Sequence, residues 1–392
     1  MWSQQSGNFC EHPDDADAMN ILILGTAYPL RGGIAHYNAL LYTHLKKRHA
    51  VEIISFKRQY PKIFFPGKRQ EEQGKPGLPV KSEQLIDSVN PLNWIRVGIT
   101  LRRRNADVVI FKYWLPFFGP CIGTICALMK FRRKTKVVAI CDNVIPHEHR
   151  PGDALFTRYA FKFVDAFIVQ SDTVEKDLLT AVENPRYKKV PHPVYEIFGL
   201  PIEKSEARAA LNIRDEKVIL FFGYIRPYKG LHVMIDAMKE VKKSFRVKLL
   251  VVGEFYGDEE KYRWHISDAQ VRDVIDVVSD YVPNEKVGEY FSAADAVMLP
   301  YLSATQSGIA QIAYNFNKPV IATDVGGLAE VVVDGVSGLV VPPNNPSKLA
   351  DAIKRFYSEN LEETLSAGAA REKKKYSWDR MVEAIEQLTI NK

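Results

Sequence analysis

Short unbroken apolar runs recur along this 392-residue chain, each followed by a polar turn and then by a stretch with helical spacing. In the first half they fall at residues 21–24, 51–56, 108–111, 137–140 and 166–169. After residue 215 the alternation restarts, with runs at 218–222, 248–252, 274–278, 296–299, 320–322 and 339–341. Strands apolar at every position are buried on both faces, and their alternation with helices is the arrangement of a parallel sheet covered on both sides. Two such series predict an α/β protein with two doubly wound, Rossmann-like domains. The proline-rich connector Pro191-His192-Pro193-Val194 marks the boundary, giving domains at 19–193 and 194–375. The last segment, 376–392, carries a helix at about 376–390 that either stays with the second domain or packs back on the first. Residues 1–18, polar and acidic, are expected to form a disordered extension.

Ligands of doubly wound sheets lie beyond the carboxyl ends of the strands, so two facing domains enclose a central cleft. The turns that directly follow strands are therefore the candidate chemistry. In the second half, Phe222 is followed by Gly223-Tyr-Ile-Arg226-Pro-Tyr-Lys229-Gly230 and a helix. Two cations three residues apart at that point suit a diphosphate, with Lys229 as a point charge and Arg226 as a fork; a solvated basic loop reads equally well. After residue 299 comes Pro300-Tyr-Leu-Ser-Ala-Thr-Gln306-Ser307-Gly308, leading into a helix at 309–316. Ser307-Gly308 at a helix start offers free N–H groups and the positive dipole end to an anion, with plain capping by Ser307 or Thr305 as the alternative. A third turn, Asp324-Val-Gly326-Gly327, is compatible with a tight loop facing the same cleft.

Composition changes the picture in two places. Forty-six per cent hydrophobic and 26% charged residues describe an ordinary folded protein, but the net charge of +6 is unevenly spread. Residues 1–195 hold 28 Lys+Arg against 18 Asp+Glu, whereas 196–392 hold 25 against 29. The basic half suggests an anionic partner there, either a membrane surface or a phosphorylated acceptor. Basic charge without a recognition motif argues against nucleic acid as the partner. Cys10, Cys121, Cys126 and Cys141 show no CxxC spacing and read as buried thiols of a reducing, cytoplasmic compartment. No apolar run long enough to span a membrane and no secretory signal are evident.

The ordered set of turns resembles the large retaining glycosyltransferase family 4, of the GT-B fold. The resemblance is carried by Gly223–Gly230 with the following Leu231-His-Val-Met-Ile-Asp-Ala, by Val251-Val-Gly253-Glu254, and by Lys318-Pro-Val-Ile-Ala-Thr-Asp-Val-Gly-Gly-Leu-Ala-Glu330 through Asp334-Gly335-Val-Ser-Gly338-Leu-Val-Val-Pro342. It runs over essentially the whole chain and is strong from 215 to 345. It implies transfer of a sugar, with retention, from a UDP-sugar or GDP-sugar to a glycan or lipid-linked acceptor, without a metal or other cofactor. Lys229 would contact the diphosphate. The family's arginine stands where this chain has Tyr224, so Arg226 is the substitute; Gly223, Ile309 and the Ser307-Gly308 helix start complete the donor side. Tyr281-Val282-Pro283 matches the loop that holds the base. The family's paired glutamates would fall at Ala304 and Ile312, but residues 296–323 contain no Asp or Glu; Gln306 and Gln311 are the nearest polar candidates.

In the first half, Arg31-Gly32-Gly33 opens the helix after residues 21–24, and the resemblance places Gly32 and Gly33 beneath the donor phosphates. Arg31 faces either the cleft or solvent. Cys141-Asp142-Asn143-Val-Ile-Pro146-His147-Glu148-His149 follows another strand. The family shows a histidine where Asp142 stands and a His-Glu pair like His147-Glu148, so Asp142 or His147 would orient a sugar hydroxyl. Arg58, Tyr60, Phe64, Phe65, Lys68 and Arg69, with Trp94, Arg96, Arg102–Arg104, Trp114, Phe117 and Phe118, would make an amphiphilic surface on the acceptor side, associated peripherally with the inner membrane face. Taken singly, each aromatic favours the core; the ensemble with the basic charge favours the surface reading. The competing function is a nucleotide-sugar-binding protein of the same fold with weakened or no catalysis.

Overall fold

The computed structural model describes residues 18–61, 69–72, 77–146, 150–214, 217–257 and 259–390. Residues 1–17 of the extension expected at 1–18 lie outside them, as do Phe64, Phe65, Lys68, His147, Glu148 and His149.

The first lobe runs β1 (Asn20–Leu24), α1 (Gly33–Leu45), β2 (Ala50–Arg58), β3 (Ser82–Asp87), α2 (Pro91–Arg102), β4 (Val108–Tyr113), α3 (Gly119–Lys130), β5 (Lys136–Cys141), α4 (Asp153–Phe161), β6 (Ala166–Val169), α5 (Asp172–Ala181) and β7 (Tyr187–Lys189). The second runs α6 (Lys204–Ala210), β8 (Lys217–Phe222), α7 (Leu231–Val241), β9 (Val247–Val252), α8 (Glu259–Asp268), β10 (Ile275–Val278), α9 (Asn284–Ala293), β11 (Ala296–Leu299), α10 (Gly308–Asn315), β12 (Val320–Thr323), α11 (Leu328–Val331), β13 (Gly338–Val341), α12 (Pro346–Ser358) and α13 (Glu362–Glu372). The chain ends in α14 (Trp378–Thr389).

Both sheets are parallel throughout, ordered β3-β2-β1-β4-β5-β6-β7 and β10-β9-β8-β11-β12-β13. Their order reverses between β1 and β4 and again between β8 and β11, so each sheet has one switch point where a ligand crevice opens. Side chains alternate between sheet faces, which is why Ile21 and Ile23 join one apolar cluster and Leu22 and Leu24 another. One cluster covers the outer face of the first sheet and a second that of the other. The third, including Tyr37, Tyr195, Phe198, Leu220 and Trp378, lies between the lobes and joins them.

The open question about the last helix resolves here. α14 packs on α1, β5, β6 and β7, returning to the first lobe. Trp378 anchors it: the ring is almost completely buried beside Tyr37, stacks on His44 at 5.4 Å, and donates from Nε1 to Val194 O at 2.9 Å. Helical spacing makes its apolar face, with Met381, Val382, Ile385 and Leu388, contiguous.

Candidate functional site

The two switch points face each other across a cleft of about 400 Å³, within the range of small-molecule sites. The turn after β1 brings Gly32 and Gly33; the end of β4 brings Lys112 and Trp114; β5 ends at Asp142 and Asn143. From the second lobe, the turn after β8 brings Gly223, Tyr224 and Lys229, the turn after β10 brings Tyr281, Val282 and Asn284, and the segment after β11 brings Gln306, Ser307, Gly308 and Ile309. Of the sequence candidates, therefore, Lys229, Asp142, Gly32, Gly33, Gly223, Val282, Gln306, Ser307, Gly308 and Ile309 converge on one cavity.

Lys229 is buried and makes no ion pair among the described residues. Burial and the neighbouring Arg226 guanidinium push its amine down to about 7. Gly223, at φ +98°, explains how the amine comes so close: an added Cβ would sit 3.3 Å from Lys229 Nζ. Beside it, α10 begins at Gly308 with no side chain capping its N-terminus. The Ser307 hydroxyl instead lies 3.4 Å from Tyr301 Oη, and Thr305 Oγ1 donates to Asn143 Oδ1 across the cleft. An uncompensated cation beside an uncapped helix start is an anion site.

The third glycine turn supports this segment rather than lining the cavity. At Gly326 an added Cβ would come within 1.7 Å of Ala304 O, so only glycine lets the 304–305 backbone rest on that turn.

Several candidates lie elsewhere. Arg226 does not line the cavity; its guanidinium covers the Tyr256 ring at 4.0 Å. Gln311 is buried with neither amide atom partnered and is not part of the lining. Arg58 forks the Asp87 carboxylate at 2.9 and 2.6 Å on an exposed surface, a bidentate pairing that directs it away from the cleft. Tyr60 is drawn into an aromatic cluster, 5.3 Å from Phe118 and 6.2 Å from Phe117, with Trp114 4.8 Å from Phe118. Those rings pack on one another, Trp94 donates to Asp87 O, and Arg104 pairs with Glu52 and Glu83, so these members are engaged within the fold, while Arg96 and Arg103 of the expected amphiphilic surface stand exposed. Arg31 faces the cleft rim and not solvent: it bridges to Glu254 of the second lobe at 2.6 Å and lies 4.6 Å over the Tyr281 ring.

Sequence reading missed several lining residues, among them four polar or titratable groups. Lys112 was hidden inside a strand, although a lone cation in the otherwise apolar Val108–Tyr113 was a signal, since a buried charge needs a partner. Asn284 opens α9 with both amide atoms buried and unpartnered. His192 and His36 also face the cavity, and burial lowers them to about 3 and about 4, so both are neutral at physiological pH. The three described cysteines are buried free thiols, as their apolar surroundings suggested.

Comparison with known proteins agrees with this fold. The profile described as "Glycosyl transferases group 1" matches residues 216–359. A D-inositol 3-phosphate glycosyltransferase from Actinosynnema mirum is 31% identical over 302 residues, covering 71% of each chain. Another from Acidothermus cellulolyticus is 28% identical over 305 residues, 71% of this chain and 66% of the relative, so the chain spans about two thirds of that relative's length. Among solved structures, sucrose-phosphate synthase from Thermosynechococcus elongatus superposes with a TM-score of 0.74 at 18% identity, over 94% of this chain and 98% of that one. Anabaena Alr3699/HepE in complex with UDP gives 0.72 at 18% identity, over 94% and 99%. Two parallel Rossmann-like lobes around a cleft are thus the GT-B fold, and with a glycosyltransferase relative aligned over most of both chains, this chain belongs to the group 1 glycosyltransferases.

Proposed function

We propose that the protein transfers a hexosyl-type sugar, with retention, from a nucleoside diphosphate sugar to a glycan or lipid-linked acceptor in polysaccharide or glycolipid synthesis. The carrying observation is Lys229, a buried cation with no counter-charge among the described residues, beside the uncapped start of α10. A site that leaves a cation unpaired and desolvated stabilises the charge that develops on a departing diphosphate. The leaving group then accepts the acceptor's proton on the face it vacates, which yields retention without a protein nucleophile. UDP and UDP-glucose in complex with Anabaena Alr3699/HepE support a donor of this class, either a UDP-sugar or a GDP-sugar. The test is donor-dependent release of nucleoside diphosphate from a panel of nucleotide sugars in the presence of cell-extract acceptors. Binding without release for every donor and acceptor would favour a catalytically silent nucleotide-sugar-binding protein.

The amine at about 7 makes the reading pH-sensitive. A bound diphosphate favours the protonated form, so above pH 7 binding must first take up a proton. Affinity for a nucleoside diphosphate is expected to fall as pH rises from 7, by at most about tenfold per unit. Calorimetry in buffers of different ionisation enthalpy should register that uptake; a flat affinity from pH 7 to 9 would contradict it.

A cytoplasmic enzyme docked peripherally on an anionic membrane is the accompanying reading. No helix among the described residues is long and apolar enough to cross a membrane. The support for docking is α2, where Leu92, Ile95 and Ile99 stand exposed beside Arg96 and Arg103, with exposed Phe131, Arg132 and Arg133 nearby. Ile95→Glu with Ile99→Glu is expected to weaken binding to phosphatidylserine liposomes roughly tenfold or more. Binding should also weaken with salt, and DNA should not compete. Unchanged flotation of the double variant would exclude this face.

A further inference from the structure

Two side chains of the first lobe cross one rim of the cleft together. Arg31 N donates to Gln70 O at 3.0 Å, Glu72 N donates to Pro29 O at 2.8 Å, and Leu30 pairs with Glu71 in an antiparallel bridge. These contacts make residues 29–31 and 70–72 a two-stranded strap that presents both Arg31 and Glu72 to the second lobe. Arg31 Nη2 lies 2.6 Å from Glu254 Oε2, and the guanidinium stands 4.6 Å over the Tyr281 ring and 5.9 Å from that of Tyr224. Tyr281 Oη in turn donates to Glu72 Oε2 at 2.8 Å. Glu254 and Tyr281 stand in the turns after β9 and β10, and both line the cavity.

The receiving turn is braced. Ile225 N donates to Glu254 O at 2.9 Å and Tyr256 N to Ile225 O at 3.0 Å, which ties it to the turn after β8 that carries Lys229. Gly253, at φ +144°, allows the close approach: an added Cβ would fall 2.2 Å from Gly223 O. The side chains of Arg31 and Glu254 are 4% and 2% exposed, so neither is hydrated while the lobes are together. Their attraction is strong in a dry site, but separating the lobes returns both charges to water, and that hydration offsets most of it. The pair therefore holds the lobes without locking them. Removing one partner acts differently, because it strands the other charge in the dry rim and favours separation.

We infer that Arg31 and Glu254 form a latch across this rim, and that entry and release of the nucleotide wait on its opening. The nucleotide part rests on the nucleotide-sugar reading of the cleft; the latch itself rests on the contacts between the lobes. Arg31 is a positioning residue, since it does not line the cavity and acts through Glu254 and Tyr281. Losing a direct ligand contact speeds release alone and weakens affinity. Losing a latch speeds association and release together, because both pass through the open state, and leaves their ratio nearly unchanged.

Stopped-flow tryptophan fluorescence of the full-length protein with UDP and with GDP reads both rates, Trp114 in the cavity wall serving as reporter. Small-angle X-ray scattering of the protein alone reads the separation of the lobes. Arg31→Ala is expected to raise association and dissociation rates in parallel by about 10- to 100-fold, and to increase the radius of gyration. Tyr281→Phe deletes only the hydroxyl that meets Glu72 and keeps the ring, so it tests the same rim with little risk to folding. It is expected to shift both rates in the same direction by a smaller factor. Faster release with unchanged association in Arg31→Ala would make Arg31 a ligand contact and overturn the latch. Unchanged rates in both variants overturn the latch and leave the nucleotide reading standing. Binding of neither nucleotide overturns that reading instead, and scattering then decides the latch alone: an unchanged radius of gyration in Arg31→Ala overturns it.

Discussion

Replacing Lys229 by alanine is expected to lower donor-dependent release of nucleoside diphosphate by roughly 10²–10³-fold, the usual effect of deleting one preorganised electrostatic group at a site of developing charge. The amine is buried, faces Gly223 and has no carboxylate within ion-pair distance among the described residues, so its charge is available to a ligand. The same fact separates a catalytic loss from misfolding. A cation held in a dry site without a partner costs stability, and its removal relieves that cost. Lys229→Ala should therefore melt no lower than the unmodified protein while losing turnover. Normal turnover in the variant would sink the assignment of the anion site. A matching loss of melting temperature would instead assign the lysine to the fold.

Trp378→Ala should cost about 3–5 kcal/mol of folding stability, the range for truncating a large buried aromatic. The indole fills space between Tyr37, His44 and the connector, and its Nε1–H satisfies Val194 O. Truncation leaves a cavity and an unpaired carbonyl where α14 crosses between lobes. Denaturant unfolding should show a lower midpoint and separation of two transitions, since α14 is the segment that ties the end of the chain to the first lobe. An unshifted midpoint would mean that α14 docks without its tryptophan.

How much of this was legible beforehand follows from burial. Strands covered on both faces announce themselves by unbroken apolar runs, as in Val218–Phe222 within β8 and in β11. The strands that escaped notice, β3 (Ser82–Asp87) and β7 (Tyr187–Lys189), are the two edges of the first sheet. There, one flank is open and the residues alternate or are polar, so no run forms. In the site, Lys229, Ser307 and Gly308 were readable because each stands in a turn between a strand and a helix. Arg226 and Tyr60 stood in comparable turns and Arg58 at the end of β2, yet Tyr256, Phe118 and Asp87 hold them outside the cavity, and no local pattern encodes those partners.

The sequence alone determined the two doubly wound sheets, the switch-point turns and the absence of acidic residues in the wall after β11, because periodicity, turn chemistry and composition are local properties. Only the tertiary structure decided that α14 returns to the first lobe, that Arg31 meets Glu254, and that Lys112, Asp142 and Gln306 join across the cleft. These contacts link residues 30 to 223 positions apart, and burial and charge pairing, rather than any local pattern, select them.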